Sequence, residues 1–546
     1  MRKYILYGIL GLGAMSLVSC NDWLSEEGPM TNSPEDYFTG EAAAIQSVNA
    51  AYAPLMWEYN STYYCEWFIG DIASDDALKG GQNTSDMADA YDIENFRTIS
   101  NNTLLLDYYR AQYQGIQRAN LCIEQVSGMS DDKFETNGLK ERIVAEAKFL
   151  RAFYYFRLVR IFGGVPKVEA PIYTSDDWKQ PRASLDDIYA LMVKDLEEAE
   201  PDLPKKSQYE SADLGRVTSG AAQAMLMKVY LYWGNFKEQG KSTTTVDCYT
   251  EAKKWGDTFL SEQAAEYSLC QNYEDNFTLE GENGNESIFE IQYMAEPTSD
   301  FGEGNGFTRG TFTTMLVRSR SANLDNPGWG FNKPTDNLKN EFEAGDPRKE
   351  ASIREMSQAE MSNPSEEIYL GCSNVAVKRT LTVDDEYMKL DHNSRSPINN
   401  VVYRLADFYL LYAEVCLKNS DTPGAKTYLE NVRSRARGSA SILPQFPDYE
   451  VPDYRQAYAM HQLTDTPEDL EMAIRHERRC ELAMEGHRWF DLCRWGIVKE
   501  VMDAYKAAET EEARSAMSEF VAGKHELFPI PDEEVRLSGL IQNNGY

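Results

Sequence analysis

Histidine and paired cysteines are scarce in this sequence. Its 546 residues include 5 histidines and 9 cysteines, and no two cysteines form a C-x-x-C pair. The segment from His476 to Cys480 has a cysteine where a zinc-protease helix requires its second histidine. We therefore predict no metal site. The cysteines are too sparse for a disulfide scaffold, so we interpret them as buried free thiols.

Positive charge is also in short supply. Lys and Arg together number 54 against 88 Asp and Glu, which gives a formal net charge of −34. A field of this sign repels a phosphate backbone and argues against nucleic acid as a partner. The hydrophobic fraction of 42% and the charged fraction of 26% are those of a globular protein, so disordered and fibrous classes are excluded.

Common catalytic motifs are missing. The chain contains no G-x-S-x-G nucleophile elbow, no G-x-x-x-x-G-K-[ST] phosphate loop and no H-E-x-x-H site. The glycine run at 302–306 is followed by Phe307 where a dinucleotide loop requires its third glycine, so we interpret it as a loop. We predict no enzyme activity and no cofactor. A pair of carboxylates for glycoside hydrolysis stays open as an alternative, because their separation depends on the fold.

Long apolar runs are absent after the N-terminus. Residues 1–19 begin with two basic residues and continue in a charge-free apolar stretch, which is the layout of a secretory signal. This stretch is shorter than the roughly 20 residues of a membrane-spanning helix. Leu17-Val18-Ser19-Cys20 resembles the lipobox of bacterial lipoproteins, which predicts that Cys20 carries a lipid and that 20–33 is an acidic tether. An ordinary signal peptide with an accidental boundary cysteine is the alternative.

Apolar residues recur at three and four positions along several segments and predict amphipathic helices. Small residues early in the 217–233 segment would admit the aromatic side chains of a neighbouring helix. In the last segment, charged pairs at helical spacing (Arg478 with Glu481, Glu485 with Arg488, Asp491 with Arg494) lie among apolar residues, so we expect a buried helix whose charges pair across the core. The predicted helices span 34–59, 104–126, 140–162, 217–233, 402–418 and 467–497.

Two regions between the helices are rich in glycine or polar residues. Residues 275–334 combine glycines with aromatic residues and are interpreted as a loop-rich insertion. Within it, the alternation of apolar and polar residues at 285–293 predicts a short strand. Residues 71–103 form a second polar loop region. Aromatic rings in such loops suit a sugar, because its C–H face packs on a ring while its hydroxyls meet polar groups.

Several long motifs resemble the SusD/RagB family, and the resemblance runs from the signal peptide to the last residue. The motifs include the lipobox, AEAKFLRAFYYFRLVRIFGGVP at 145–166, GRVTSGAAQAMLMKVYLYWGN at 215–235, RHERRCELAMEGHRWFDLCRWG at 475–496 and LFPIPDEEVRLSGLIQNNGY at 527–546. The resemblance implies a mainly α fold, with a tetratricopeptide-like helical scaffold and an irregular ligand-binding insertion. It divides the chain into an N-terminal helical region at 34–274 and a C-terminal region at 275–546.

The resemblance also implies a location, a partner and a function. It implies an outer-membrane lipoprotein of Bacteroidetes that faces the cell exterior, binds a glycan and delivers it to a SusC-like TonB-dependent transporter as the lid of that transporter. A peptide-binding, RagB-like protein is the alternative. No member of the family is expected to turn over substrate. The resemblance further implies that its motif residues Arg151, Glu477, Glu481, Arg488 and Asp491 serve folding rather than binding.

The family places its glycan site on loops after the first helices and in the middle insertion, which here are 79–103 and 296–332. Trp329 lies between Gly328 and Gly330, so its ring is either displayed or inserted into a cleft. In the second case Trp329 would belong to the core, received by a helix beginning near Thr335. The predicted ligand-binding residues are Trp329, Tyr91, Phe307, Asn83 and Arg309.

Overall fold

Helices that follow one another along the chain pack side by side in this protein. The computed structural model describes residues 37–57, 66–174, 177–294, 310–324, 327–378, 396–438 and 443–546. In its N-terminal half the helices are α1 Glu41–Tyr52, α2 Glu66–Ile72, α3 Ala88–Glu94, α4 Thr103–Gly128, α5 Leu139–Phe162, α6 Leu185–Ala199, α7 Ser219–Glu238 and α8 Cys248–Glu262. Contacts of α4 with α5, of α5 with α6 and of α7 with α8 build the helical scaffold.

The C-terminal half adds shorter helices and a second helix pair. These helices are α9 Thr313–Val317, α10 Asp336–Glu341, α11 Pro347–Ser352, α12 Pro364–Glu367, α13 Leu405–Lys418, α14 Thr422–Arg437, α15 Pro467–Glu481, α16 Arg488–Trp495, α17 Val498–Ala508, α18 Glu511–Ala516 and α19 Asp532–Ser538. The pair α13 and α14 packs on α15. The mainly α fold class is confirmed, and none of the described helices is long and apolar enough to cross a membrane.

Local sequence explains where the scaffold helices begin and end. The side chain of Asn102 accepts hydrogen bonds from the first backbone N–H groups of α4. Ser184 and Asp187 form a reciprocal capping box at the start of α6. Gly163 ends α5 with a φ of 72°, a conformation that favours glycine. The predicted helices at 104–126, 140–162 and 217–233 are therefore confirmed within a few residues.

Close packing of these helices depends on small residues placed opposite aromatic rings. A Cβ atom on Gly115 of α4 would lie 2.2 Å from the ring of Tyr154 on α5. A Cβ atom on Gly220 of α7 would lie 2.8 Å from Tyr267. Gly220 thus admits an aromatic ring, but Tyr267 follows α8 and does not lie on a neighbouring helix as predicted. A bulkier residue at either position would force the helix away from its neighbour, since core packing leaves no free space.

The described strands are short and form two-stranded antiparallel sheets. The strands are β1 Ala77–Gly80, β2 Ser287–Ile291, β3 Phe331–Pro334, β4 Ile353–Glu355, β5 Asn374–Ala376, β6 Asn400–Arg404, β7 Glu450–Asp453 and β8 Ala459–Gln462. Their pairs are β1 with β3, β2 with β6, β4 with β5 and β7 with β8. β2 confirms the strand predicted within 285–293. β1 and β3 join segments some 250 residues apart, and their pairing shapes the candidate site.

The predicted helix at 467–497 is wrong in one respect, because the structure divides it into α15 and α16. The chain turns between them, with Met484 at a φ of 62° and Gly486 at 81°. The backbone N–H of Gly486 donates to the Asp71 carboxylate over 2.8 Å. A Cβ atom on Gly70 would lie 2.0 Å from the carbonyl oxygen of Gly486, so α2 packs directly against this turn. A distant segment of the chain therefore interrupts the helix.

Charged side chains of α15 and α16 are buried and paired across the core, as predicted. Arg478 binds Asp407 over 2.8 Å and Asp491 over 3.0 Å, rather than the predicted Glu481. Asp491 also binds Arg494 over 2.8 Å, which confirms that predicted pair. The structure likewise pairs Glu485 with Arg404 over 2.9 Å and Arg488 with Asp75 over 2.8 Å, rather than with each other. These two expected pairs are wrong because tertiary neighbours offer better partners than the next turn of the chain.

Glu481 is the centre of this buried charge cluster. Its carboxylate binds Arg348 over 3.0 Å and also binds Arg404 and Arg435. Burial alone would raise the pKa of Glu481, but the three guanidinium groups lower it well below its usual range. The assignment of the motif residues to folding agrees with the burial of Arg151, Glu477 and Glu481.

Candidate functional site

The pairing of β1 with β3 brings together the two regions predicted to hold the ligand. Gly80 lies opposite Phe331 in this ladder, and the N–H of Gly81 donates to the carbonyl of Gly330 over 2.9 Å. Because the strands are antiparallel, the loop that follows β1 and the segment that precedes β3 leave the sheet at the same end. Asn83 and Trp329 lie on these two segments.

Trp329 is half-buried at the outer edge of the main core. Its ring packs edge-on against Phe312, with ring centroids 4.9 Å apart. The backbone N–H of Trp329 donates to the backbone carbonyl of Met315 over 2.9 Å. Gly330 has a φ of 71°, and a Cβ atom on Gly328 would lie 2.4 Å from Arg318. The flanking glycines therefore do not leave Trp329 isolated. They let neighbouring segments of the chain approach closely and hold Trp329 in place.

Asn83 and Tyr91 follow β1 and have different surroundings. Asn83 is exposed, and its side-chain oxygen accepts hydrogen bonds from the Ser85 N–H over 3.0 Å and the Asp86 N–H over 3.2 Å. It therefore closes a turn. Tyr91 lies on α3 and is half-buried. The guanidinium of Arg97 lies 5.2 Å from the centroid of its ring. Within the described ranges, no hydrogen bond or ring contact joins Tyr91 to Trp329.

Lys79 anchors the turn that contains Asn83, and the sequence analysis missed it. Its ammonium group donates to the carbonyl of Asn83 over 3.0 Å and to the carbonyl of Asp86. It also lies 5.3 Å from the ring centroid of Phe331 and 5.0 Å from that of Tyr369. Burial lowers the pKa of Lys79 to about 8, which still leaves it mostly charged at neutral pH. The period-2 pattern of a four-residue strand gives no signal for such an anchor.

Glu94 lies beneath the same turn and completes the anchor. Its carboxylate accepts hydrogen bonds from the backbone N–H of Lys79 over 3.0 Å and from the hydroxyl of Tyr369 over 3.2 Å. Burial raises the pKa of Glu94 to about 7. The carboxyl group therefore changes its charge near neutral pH at the base of the candidate site.

The prediction of a polar loop over 71–103 needs correction, because its first acidic residues are buried core residues. Asp71 accepts from the side chain of Asn332 over 2.9 Å. Asp75 binds Arg488 over 2.8 Å, and Asp76 binds Arg479 over 2.8 Å. Asp75 and Asp76 thus attach the segment before β1 to α16 and α15, and Asp71 attaches it to β3. A polar composition signalled exposure, but these carboxylates are paired inside the protein.

Three of the predicted functional residues lie outside the residues that the structure describes: Phe307, Arg309 and Cys20. The described part of the chain holds no cluster of three or more metal-ligating side chains. It contains seven cysteines without a disulfide, and all of them except Cys270 are buried, as the sequence analysis predicted. Of the predicted ligand contacts, the structure describes three: Trp329, Asn83 and Tyr91.

Two family models match this chain. The model of the SusD family matches residues 373–546, and a model described as starch-binding associating with outer membrane matches residues 22–231. The chain belongs to the SusD family. Among curated members, SusD-like protein P2 of Formosa agariphila is 26% identical over 565 aligned residues that cover all of both chains. The starch-binding protein SusD of Bacteroides thetaiotaomicron is 26% identical over 275 residues, half of this chain and 44% of that protein.

Solved structures of SusD-like proteins share the fold. A laminarin-binding SusD-like protein superposes with a TM-score of 0.73 at 26% identity, covering 93% of this chain and 100% of the other. Surface glycan-binding protein A from Bacteroides thetaiotaomicron, in complex with laminarihexaose, gives a TM-score of 0.74 with the same coverage. At 22% identity the second likeness shows the fold alone.

Proposed function

We propose that this SusD-family protein is a surface glycan-binding lipoprotein that captures an oligosaccharide or polysaccharide. The observation that carries the proposal is the full-length likeness to a laminarin-binding SusD-like protein, at 26% identity and a TM-score of 0.73. The protein acts by binding and needs no cofactor. Its ligand contacts are Trp329, Tyr91 and Asn83 at the end of the β1–β3 sheet, together with Phe307 and Arg309.

The shared end of β1 and β3 supports this choice of surface. A half-buried indole, held by its backbone and by Phe312, presents a rigid apolar edge that costs little entropy to bind. Asn83 stands exposed on the adjacent turn and offers an amide to sugar hydroxyls. A binding surface placed on loops that a rigid scaffold supports is typical of recognition proteins.

A binding screen tests this proposal. The purified chain without residues 1–20 is titrated by calorimetry with laminarin, starch and a set of peptides, and the supernatants are analysed for cleaved products. Binding of a polysaccharide without new products is the expected result. Binding of peptides alone would favour the RagB-like alternative, and released oligosaccharides would favour the glycoside hydrolase.

The proposal includes an anchor and a partner. Cys20 carries lipid, the protein faces the cell exterior from the outer membrane, and it delivers its ligand to a SusC-like TonB-dependent transporter as a lid. Metabolic labelling with a fatty acid should be lost in Cys20→Ser, and label that persists would refute the anchor. Purification from outer membranes should recover the transporter with the protein, and recovery of the free protein alone would refute the partnership.

A further inference from the structure

A cavity lies beneath the β7–β8 hairpin, in a part of the chain that is distant in sequence from Trp329. It has a volume of about 170 Å³, against about 50 Å³ for the cavity that Phe149 and Tyr403 line. One wall is the hairpin and the opposite wall is one face of α15. Its lining includes Tyr454, Tyr458, Met472, Arg475, Trp495 and Ile497.

The hairpin holds Tyr458 in a conformation that tyrosine rarely adopts. Ala457 and Tyr458 have φ values of 53° and 61°, so two consecutive residues with side chains occupy the left-handed region. The N–H of Tyr458 donates to the carbonyl of Asp453 over 2.9 Å, which fixes this turn. An unusual backbone that places one side chain in a cavity is a common feature of functional sites.

Two hydrogen-bonding groups in the cavity have no partner among the residues that the structure describes. They are the buried hydroxyl of Tyr458 and the buried Nε–H of Arg475. Burial and the nearby Asp75 carboxylate raise the pKa of Tyr458, so its hydroxyl remains a donor at neutral pH. Buried polar groups are nearly always hydrogen-bonded in native proteins, so two such groups on residues that line one cavity favour a bound molecule that accepts hydrogen bonds.

Arg475 is held in place by its other contacts. Its Nη2 binds the Glu471 carboxylate over 2.6 Å, and its guanidinium lies 5.0 Å from the ring centroid of Trp495. These two contacts fix the plane of the guanidinium. The Nε–H is therefore pre-oriented, and binding to it requires little loss of side-chain entropy.

The charges around the cavity decide the class of ligand. Each of the other arginines that line it already binds a carboxylate: Arg455 binds Asp453, Arg479 binds Asp76, and Arg488 binds Asp75, each over 2.8 Å. His476, which also lines the cavity, binds Glu341 over 2.8 Å, and Glu468 and Glu471 add carboxylates to the lining. Among the described residues every cation of the lining, Arg475 included, is thus already paired with a carboxylate. The cavity therefore offers an anionic ligand no unpaired cation and favours neutral acceptor oxygens.

We propose that this cavity binds one neutral sugar residue. The hydroxyl and ring oxygens of the sugar accept from Arg475 and Tyr458, its hydroxyls donate to Glu471, and its C–H groups pack on Tyr454 and Met472. The site is separate from the β1–β3 surface, so it stands or fails independently of the proposed function.

Methionine methyl NMR with D-glucose tests this proposal on the chain without residues 1–20. Met472 lines the cavity, whereas Met315 does not and belongs to the segment whose backbone carbonyl accepts from the backbone N–H of Trp329, so the Met315 methyl group serves as the reference signal outside the cavity. Glucose at millimolar concentration should shift the Met472 signal and leave Met315 unchanged, also in Trp329→Ala. No shift of Met472 would overturn the proposal whatever the polysaccharide screen shows. A glucuronate affinity equal to or above that of glucose would overturn the neutral assignment.

Conservative variants locate the contacts. Tyr458→Phe removes only a hydroxyl, and Arg475→Lys keeps the charge beside Glu471 but removes the Nε–H. Tyr458→Phe should weaken glucose binding about fivefold, as expected for one neutral hydrogen bond, and Arg475→Lys should weaken it about tenfold, because the lost hydrogen bond is charge-assisted. Tyr449→Phe is the matched control, because its buried hydroxyl also lacks a described partner but does not line the cavity. Unchanged affinity in both folded test variants, or an equal loss in the control, would overturn the assignment.

Discussion

The charge cluster around Glu481 and the surface around Trp329 differ in their burial and in the contacts that fix their side chains. In the cluster, three arginines converge on one carboxylate that is fully buried. At the surface, Trp329 is half-buried and Asn83 is exposed, and each is fixed mainly by backbone contacts and a turn. The comparison contrasts a buried cluster joined by long-range ion pairs with a proposed recognition surface whose side chains remain accessible.

The largest effect is expected from breaking the charge cluster. Glu481→Gln removes the negative charge that Arg348, Arg404 and Arg435 share, and it should cost about 3–5 kcal/mol of unfolding free energy, because buried cations lose their partner. Urea unfolding followed by circular dichroism measures it.

The matched control for Glu481→Gln is Asp503→Asn, which breaks the exposed pair with Lys499. It should cost less than about 1 kcal/mol. Equal costs for the two variants would show that the buried cluster does not determine stability.

The second-largest effect concerns Glu94, at the base of the surface around Trp329, whose contribution to the stability of the fold depends on pH. Burial raises the pKa of Glu94 from its ordinary 4.5 to about 7, so the folded protein holds this proton more tightly than the unfolded chain does. Deprotonation therefore destabilises the fold as pH rises from 4.5 to 7. Glu94→Gln keeps the acceptor for Lys79 and Tyr369 without the charge. The stability of the parent relative to this variant should fall by up to about 3 kcal/mol across that window.

Chemical denaturation of the parent and Glu94→Gln at pH 4.5, 6 and 8 tests this prediction. A difference between the two proteins that does not change with pH would contradict the raised pKa. A parent that gains stability relative to Glu94→Gln as pH rises would reverse the sign of the argument.

Loss of the indole at the surface should affect affinity rather than stability. Trp329→Ala should weaken binding of the identified glycan by about 2 kcal/mol, some thirtyfold, if the ring is a central anchor. Calorimetry measures the affinity. Trp255→Ala on α8 is the control, since this half-buried tryptophan belongs to the helical scaffold. Affinity of Trp329→Ala within about twofold of the parent would remove Trp329 from the site, and loss of folding would assign it to the core.

The smallest effect is expected at the turn. Asn83 uses its side-chain oxygen for Ser85 and Asp86, so Asn83→Ala should reduce glycan affinity by only about threefold, as for a peripheral contact. The same calorimetric titration checks this. A loss as large as that of Trp329→Ala would move the centre of the surface from the indole to the turn.

The scaffold was predictable because its signals are local. The segments at 104–126 and 140–162 carry helical periodicity over five or more turns, and Gly163 marks an end that the sequence shows directly. The family motifs extend over long stretches and survive at 26% identity, which made the fold class predictable. The candidate site was predictable only as two loop regions, because a single residue in a loop has no periodic signal.

By itself, the sequence determined the helical segments, the free thiols and the burial of charge in the last motif through composition and periodicity, and the family through the resemblance of its long motifs. Tertiary structure alone decided that Gly80 lies opposite Phe331, that Asp71 binds the turn at Gly486, and that Glu481 has three arginine partners. These contacts join residues far apart in the sequence, and pairing between distant segments depends on the packing of the whole chain rather than on any local pattern.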